Sequence, residues 1–330
     1  MSYHILHLLS LDLRVRLKLD QLHIEDRAKG TERSVPLADI AVIVTAAPDL
    51  QVTAGALRRM AELNVLMLVC NEKFEPCALN LPYYRATNTE LLRRQVEWTP
   101  EWKEAMWRRV ITAKIRNQAA VLGNLKRARA VLSEIADRCE AGRAGGGTGG
   151  VLNSPKIPLS SITGSRRAFF LSNDSSACES RAARHYWRHL LPRLSDEERR
   201  REPGTRSGVN GMLDYGYAIM RTATLRSLAA HGFIAALGIH HAPKAGSFAL
   251  ADDLMEPLRP WMDRELRRFL DSGNEAMKEW MPRAAALLTA ETPMGNGRVR
   301  MLNAIDLYVQ SFADAALMRV PAPLRIPMLT

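Results

Sequence analysis

Three stretches of the chain hold residues whose types and spacing suit chemistry. The first is ESRAARHYWRHLL, which opens on Glu179. Read as a helix, it puts Ala182, Ala183, Tyr186, Trp187 and Leu190 on the face that Glu179 shares. A carboxylate on an apolar, inward face needs a partner, because an unpaired buried charge is costly. A plainer reading competes: Ser176 and Glu179 have the spacing of a capping box, which explains the glutamate without catalysis. The second stretch, GIHHAPKAGSFALADDLMEPLRP, carries His240 and His241, then Asp252, Asp253 and Glu256. Three carboxylates within five residues repel, so a metal ion or a base (Arg259, Arg264 or Lys244) is expected beside them. An acid-rich first turn of a helix is the plainer alternative. Two adjacent histidines do not both serve one site; one supports the other or packs in the core. The third stretch, GVNGMLDYGYAI, sets Asn210, Tyr215 and Tyr217 into a helix, where tyrosine rings pack and their hydroxyls find partners.

Oxygen ligands with a single imidazole suit Mg2+ or Mn2+ rather than structural zinc. Such an ion on a basic protein suggests phosphodiester chemistry. The chain is basic, with a net charge of +11, and the charge is unevenly spread. Residues 1–84 hold 9 Lys+Arg against 10 Asp+Glu, and the rest of the chain holds 37 against 25. A polyanion is the natural partner of that second part. The four cysteines, Cys70, Cys77, Cys139 and Cys178, lack zinc-site spacing and read as reduced thiols of a cytoplasmic protein. No stretch approaches the ~20 apolar residues of a membrane span, and no export signal opens the sequence.

The elements that must position these residues divide into two sets. In the first eighty residues, LRVRLKLD alternates strictly, with Leu13, Val15, Leu17 and Leu19 on one face of a strand. QLHIED follows at once, so Asp20 and Gln21 are expected to turn a hairpin. Further strands are read at HILHLL, around Ile40–Val44, at NVLMLVC and at EPCALNL. One helix runs over 53–63, with Thr53 as its N-cap. Beyond about residue 86 the period is helical. One or two long helices fill 101–140, and others are expected at 177–191, 208–232, 250–270, 273–290 and 297–319, with an extended tail. The fold class is α+β: a β-rich domain over 1–84, then a larger α-helical domain over 85–330. The run AGRAGGGTGG makes a flexible insertion of about 141–175.

Together these motifs resemble the CRISPR-associated spacer-acquisition integrase, the first of the universal Cas proteins. The resemblance covers nearly the whole chain. ITAKIRNQAAVL is similar to the family's long-helix signature at Lys114, Asn117 and Gln118. ESRAARHYW resembles the helix bearing its first metal-binding glutamate. GVNGMLDYGYAI and the GIHH…ADDLMEP block follow in the family's order. The resemblance implies an N-terminal β-sandwich used for dimerisation and partner docking, and a helical catalytic domain. It implies Glu179, His241 and Glu256 as ligands of Mg2+ or Mn2+ and as the catalytic set. The family's pattern is glycine, two residues, then histidine, and Gly238 stands three before His241, so the resemblance implies His241, with His240 the fallback. Asp253 is a further candidate ligand and Asp252 a weaker one. DNA contacts stay open, with Lys114, Arg184, Tyr217, Lys244 and Arg259 as candidates.

The implied activity is DNA integration in CRISPR adaptation, a form of antiviral defence. A homodimer joins the second universal Cas protein, holds a double-stranded prespacer, and attacks the CRISPR repeat with its 3′-OH ends. The pattern looks closest to members accompanying type II systems. The insertion at 141–175 departs from the family, which usually has a short connection there. Two other classes remain: a metal-dependent nuclease or transposon-type integrase without a Cas partner, and a non-catalytic DNA-binding subunit.

Overall fold

The alternating strand of the N-terminal region sits in one of two four-stranded sheets. The computed structural model describes residues 4–71, 76–80, 89–142, 175–191, 208–241, 248–319 and 324–329. Strands β1 (His4–Leu8), β2 (Leu13–Lys18), β3 (Gln21–Asp26), β4 (Thr31–Pro36), β5 (Ile40–Thr45), β6 (Gln51–Val52), β7 (Leu66–Cys70) and β8 (Pro76–Asn80) form them, with helix α1 (Ala54–Glu62) between β6 and β7. The sheet orders are β1-β5-β7-β8 and β4-β3-β2-β6. Leu13, Val15, Leu22 and Ile24 from one sheet share an apolar core with Leu6, Leu8, Ile43 and Met67 from the other, so the sheets pack as a sandwich. Thr53 caps α1, its hydroxyl accepting from the Ala56 amide at 3.3 Å.

The hairpin turn lies one residue earlier than its sequence suggests. Lys18 pairs with Gln21, and Leu19 and Asp20 take φ of 51° and 57°. Two left-handed residues make the turn whose twist matches the flanking strands. Leu19 is therefore 89% exposed rather than the inward fourth member of its strand.

The first sheet is buried on both faces. Val42, Val44, Leu66 and Leu68 belong to a second, larger core that includes the helices. These are α2 (Thr89–Val96), α3 (Pro100–Val121), α4 (Lys126–Ala141), α5 (Ser175–Leu190), α6 (Gly208–His231), α7 (Ala249–Met255), α8 (Arg259–Asp271), α9 (Met277–Ala286) and α10 (Met301–Met318). Helix α3 begins at a Thr99 cap with Pro100 in its first turn and is buried nearly all round, which makes it the axis on which α4, α5 and α8 pack.

Two expected helices are shorter than their apolar patterns. Residues 250–270 are two helices, because Pro257 and Pro260 each remove a backbone donor and a 3-10 turn (Glu256–Leu258) intervenes. Residues 297–300 are not helix but strand β10 (Gly297–Arg300), paired with β9 (Glu291–Met294) around a turn in which Gly295 has φ of 58°. The expected boundary near residue 84 and nearly all of the 141–175 insertion lie outside the described residues.

Candidate active site

The proline-broken turn holds Glu256 at the bottom of the site, and α3 supplies a cation to it. Glu256 is 3% exposed. The Lys114 ammonium lies 2.6 Å from Glu256 Oε2 and 2.7 Å from Glu179 Oε1. Arg259, the first residue of α8, reaches Glu256 Oε1 at 3.1 Å. Burial alone would push the Glu256 carboxyl up; the facing charges of Arg259 and Lys114 reverse that and hold it below its ordinary value. Burial likewise works against the Lys114 ammonium, but Glu256 and Glu179 raise it above the ordinary lysine value. The site thus holds two carboxylates against one shared cation.

The capping explanation of Glu179 does not hold. Helix α5 already includes Ser175, so Ser176 stands inside its first turn, and the Glu179 carboxylate goes to Lys114. The expected face is correct: Ala182, Tyr186 and Leu190 are buried, and Glu179 is half-buried at its edge.

The two histidines have different partners. Asp253, fully buried on α7, accepts three backbone N–H groups, from Ile239 at 2.7 Å, His240 at 3.0 Å and His241 at 3.1 Å. It also accepts from His241 Nδ1 at 2.6 Å. That hydrogen bond raises the His241 pKa above its ordinary value, more than burial lowers it. With Nδ1 committed, Nε2 is the nitrogen available for a ligand. Asp253, expected as a further ligand, has both oxygens spent on the loop and serves to orient His241. His240 lies flat on buried Trp107, ring centroids 4.1 Å apart. The glycine that distinguished the histidines has a steric reason: a Cβ on Gly238 would stand 2.6 Å from Asp253 Oδ2 and 2.9 Å from the His241 carbonyl oxygen. Asp252 is turned away to Arg221 at 2.6 Å.

Direct contacts therefore join Lys114, Glu179, Glu256 and Arg259. His241 feels the charge of Glu256, but the ammonium, not the imidazole, stands between the glutamates. Among the described residues no three acidic, histidine or cysteine groups are gathered as a ready metal-binding cluster. Of the expected DNA contacts, Lys114 and Arg259 are committed to carboxylates within the site. Tyr217 is buried with its hydroxyl on Asp263, Arg184 is exposed on α5, and Lys244 lies outside the described residues.

Sequence reasoning gave Asn117 no role beyond the signature and missed Asp263. Asn117, one turn beyond Lys114, donates to the Pro257 and Pro327 carbonyls at 2.8 and 3.0 Å and accepts from Leu329 N–H at 2.8 Å. Asp263 accepts from Tyr186 at 2.9 Å and also from Tyr217. The spacing alone could not have found Asp263, because a 3-10 turn separates Glu256 from the helix that carries it.

The model of the family described as "CRISPR associated protein Cas1" matches residues 6–146 and 171–292. The chain belongs to the Cas1 family. The CRISPR-associated endonuclease Cas1 of Neisseria meningitidis is 30% identical over 268 residues, covering 78% of this chain and 74% of the relative. Among solved structures, a casposase bound to integration product superposes with a TM-score of 0.74 at 17% identity, covering 97% of this chain and 91% of the casposase. A chain of a Cas6-RT-Cas1–Cas2 complex gives 0.71 at 15% identity, covering 98% of this chain and 36% of that one. These likenesses bear on the fold, a strand-rich region followed by a helical one, as in other Cas1 proteins. No described helix is long and apolar enough to cross a membrane.

Proposed function

We propose that this Cas1-family chain is a metal-dependent DNA endonuclease and integrase of CRISPR adaptation. It joins prespacer 3′-OH ends to phosphodiesters of the repeat, as a homodimer together with the second universal Cas protein. The observation that carries this reading is a pair of carboxylates, Glu179 and Glu256, converging on one cation, with His241, its Nδ1 fixed by buried Asp253, within reach of the Glu256 charge. Two carboxylates and one oriented imidazole make a donor set that fits Mg2+ or Mn2+. Glu179, Glu256 and Nε2 of His241 would hold the ion. When bound, it supplies Lewis-acid stabilisation of the charge developing at the scissile phosphate.

The chain's residues do the rest. Arg259 keeps Glu256 ionised, Asp253 keeps His241 facing one way, and the Lys114 ammonium holds the two carboxylates together until the ion takes its place. The prespacer 3′-oxygen bonds to phosphorus as the bond from phosphorus to the repeat's 3′-oxygen breaks. The attacking hydroxyl loses a proton and the departing oxygen gains one. One phosphodiester replaces another, so no high-energy cofactor enters. The excess positive charge beyond residue 84 supports DNA as the partner. The relatives' names support CRISPR-linked endonuclease activity, and the Cas1–Cas2 assembly among similar structures supports the protein partner.

The casposase likeness favours one second reading, a transposon-type integrase that works without a Cas partner. The test is an integration assay with a repeat-bearing supercoiled plasmid, a labelled short duplex and Mn2+, with and without the small partner. Joining that needs both the repeat and the partner is expected; joining or cleavage indifferent to both supports the second reading. E179A, H241A and E256A are expected to abolish joining. Unchanged joining in all three would leave a non-catalytic DNA-binding subunit.

A further inference from the structure

The same two segments that carry Glu179 and Glu256 are tied together a second time, deeper in the protein. Tyr186 stands seven residues after Glu179 on α5, and Asp263 stands seven after Glu256 along the turn and α8. On α5 seven residues are about two turns, or roughly 10 Å, on one face. The Tyr186 hydroxyl donates to Asp263 Oδ2 at 2.9 Å, and Tyr217 of α6 donates to Oδ1. All three side chains are buried, with Asp263 2% exposed and Tyr186 fully enclosed. The link continues to the site: the Arg259 guanidinium lies over the Tyr217 ring at 4.9 Å and holds Glu256 at 3.1 Å.

A carboxylate in this position is almost wholly closed off from solvent. Apolar side chains would fill the space at less desolvation cost, so stability alone does not explain it. Its geometry does. The outer tie runs through the Lys114 ammonium, which an arriving metal ion must displace or push aside. Whenever neither cation bridges them the two carboxylates repel, and the inner tie is what keeps α5 and α8 at a fixed separation. We infer that Asp263 is a positioning residue which, through Tyr186 and Tyr217, sets the spacing of Glu179 and Glu256 and so the affinity for a divalent ion. The inference rests on the metal reading given above.

The test measures Mn2+ binding to the metal-free full chain by counting free ion with electron paramagnetic resonance, alongside thermal melting. Y186F deletes one oxygen, keeps the ring, and severs the α5–α8 tie. It is expected to weaken Mn2+ binding roughly three- to tenfold, the scale of one ordinary intramolecular hydrogen bond. D263L, which removes both acceptors, weakens it further. D263N keeps the shape and a polar group for each tyrosine, and binds Mn2+ close to the wild-type level. Should D263L not fold, the contrast between Y186F and D263N decides alone. Wild-type affinity in Y186F, with only a lowered melting temperature, would reduce Asp263 to a structural anchor and overturn the inference. Absence of saturable Mn2+ binding in the wild-type chain would overturn the metal reading and this inference together.

Discussion

Removing the ammonium shared by Glu179 and Glu256 gives the sharpest measurement on this site. Lys114→Met keeps the aliphatic stem in its buried channel and deletes the charge. At contacts of 2.6 and 2.7 Å, each ion pair is worth about 6 kcal/mol at an effective dielectric near 20, before the cost of desolvating the groups. What remains after that cost is the loss seen when one partner of a buried pair is deleted, about 3–5 kcal/mol. Glu256 keeps Arg259, and half-buried Glu179 can turn to water, so the lower end is expected. Glu256 has a depressed folded pKa, so its contribution is present above its unfolded value and vanishes as pH falls through the folded one. The penalty of Lys114→Met therefore shrinks on acidification. A divalent ion should restore what the ammonium supplied. Mn2+ at a hundred times its dissociation constant adds about 2.7 kcal/mol to any chain that binds it. The variant, freed of an internal competitor, gains more at a given Mn2+ concentration than the wild type. Urea melts at pH 7.5, with and without Mn2+, read both quantities. Equal Mn2+ stabilisation in the two chains would refute the reasoning, because the ammonium would then not occupy the ion's place.

Three further outcomes follow from the same geometry. Burial raises the Asp263 carboxyl to about 6, against the lowering pull of its two tyrosine partners and the charges of Arg259 and Lys114. A carboxyl raised in the folded state costs stability as pH climbs from its unfolded value to its folded one. Relative to D263N, the wild type should lose about 2 kcal/mol between pH 4 and 7 in denaturant titrations, and parallel curves would contradict this. His241 is raised by its bond to Asp253, so its nuclear magnetic resonance titration in the metal-free chain should have a midpoint above that of D253N. Its stabilising contribution is present at low pH and is lost as pH rises through that midpoint, the range over which the neutral imidazole becomes free to bind Mn2+. Gly238→Ala forces a methyl to within 2.6 Å of Asp253 Oδ2. It should cost about 1–3 kcal/mol by thermal melting and weaken Mn2+ binding, with a silent substitution counting against the packing described.

The sequence revealed elements wherever a local period was strong. LRVRLKLD reads as a strand because alternation over eight residues has no other simple cause, and α3 reads as a helix from its length. The pattern could not reveal β4, whose TERSVP lies on a sheet edge with little to bury, or the β9–β10 hairpin, whose strands are four residues each. Leu19 looked inward because strand alternation was carried one residue into the turn. For the site, it was the family's glycine-to-histidine pattern, not spacing alone, that favoured His241 over His240, and the close contact of Gly238 with Asp253 that accompanies it is spatial. The role of Lys114 was out of reach, since its partners are 65 and 142 residues away and charge sign alone suggested a DNA contact. A capping box misdescribed Glu179 for the same reason: a local partner was available on paper, and the true one lay on another helix.

Asn117 has a consequence for how the protein comes to be active. Its side chain fastens the Glu256 turn to the segment at Pro327 and Leu329, joining positions 140 and more than 200 residues apart in the chain. Such long-range closures come late in folding, after local helices have formed. A ribosome-bound chain that has already exposed Glu179, His241 and Glu256 still lacks the strut that seats the last of them. Competence to act on DNA would then be withheld until synthesis has passed residue 329, a form of timing written into the fold.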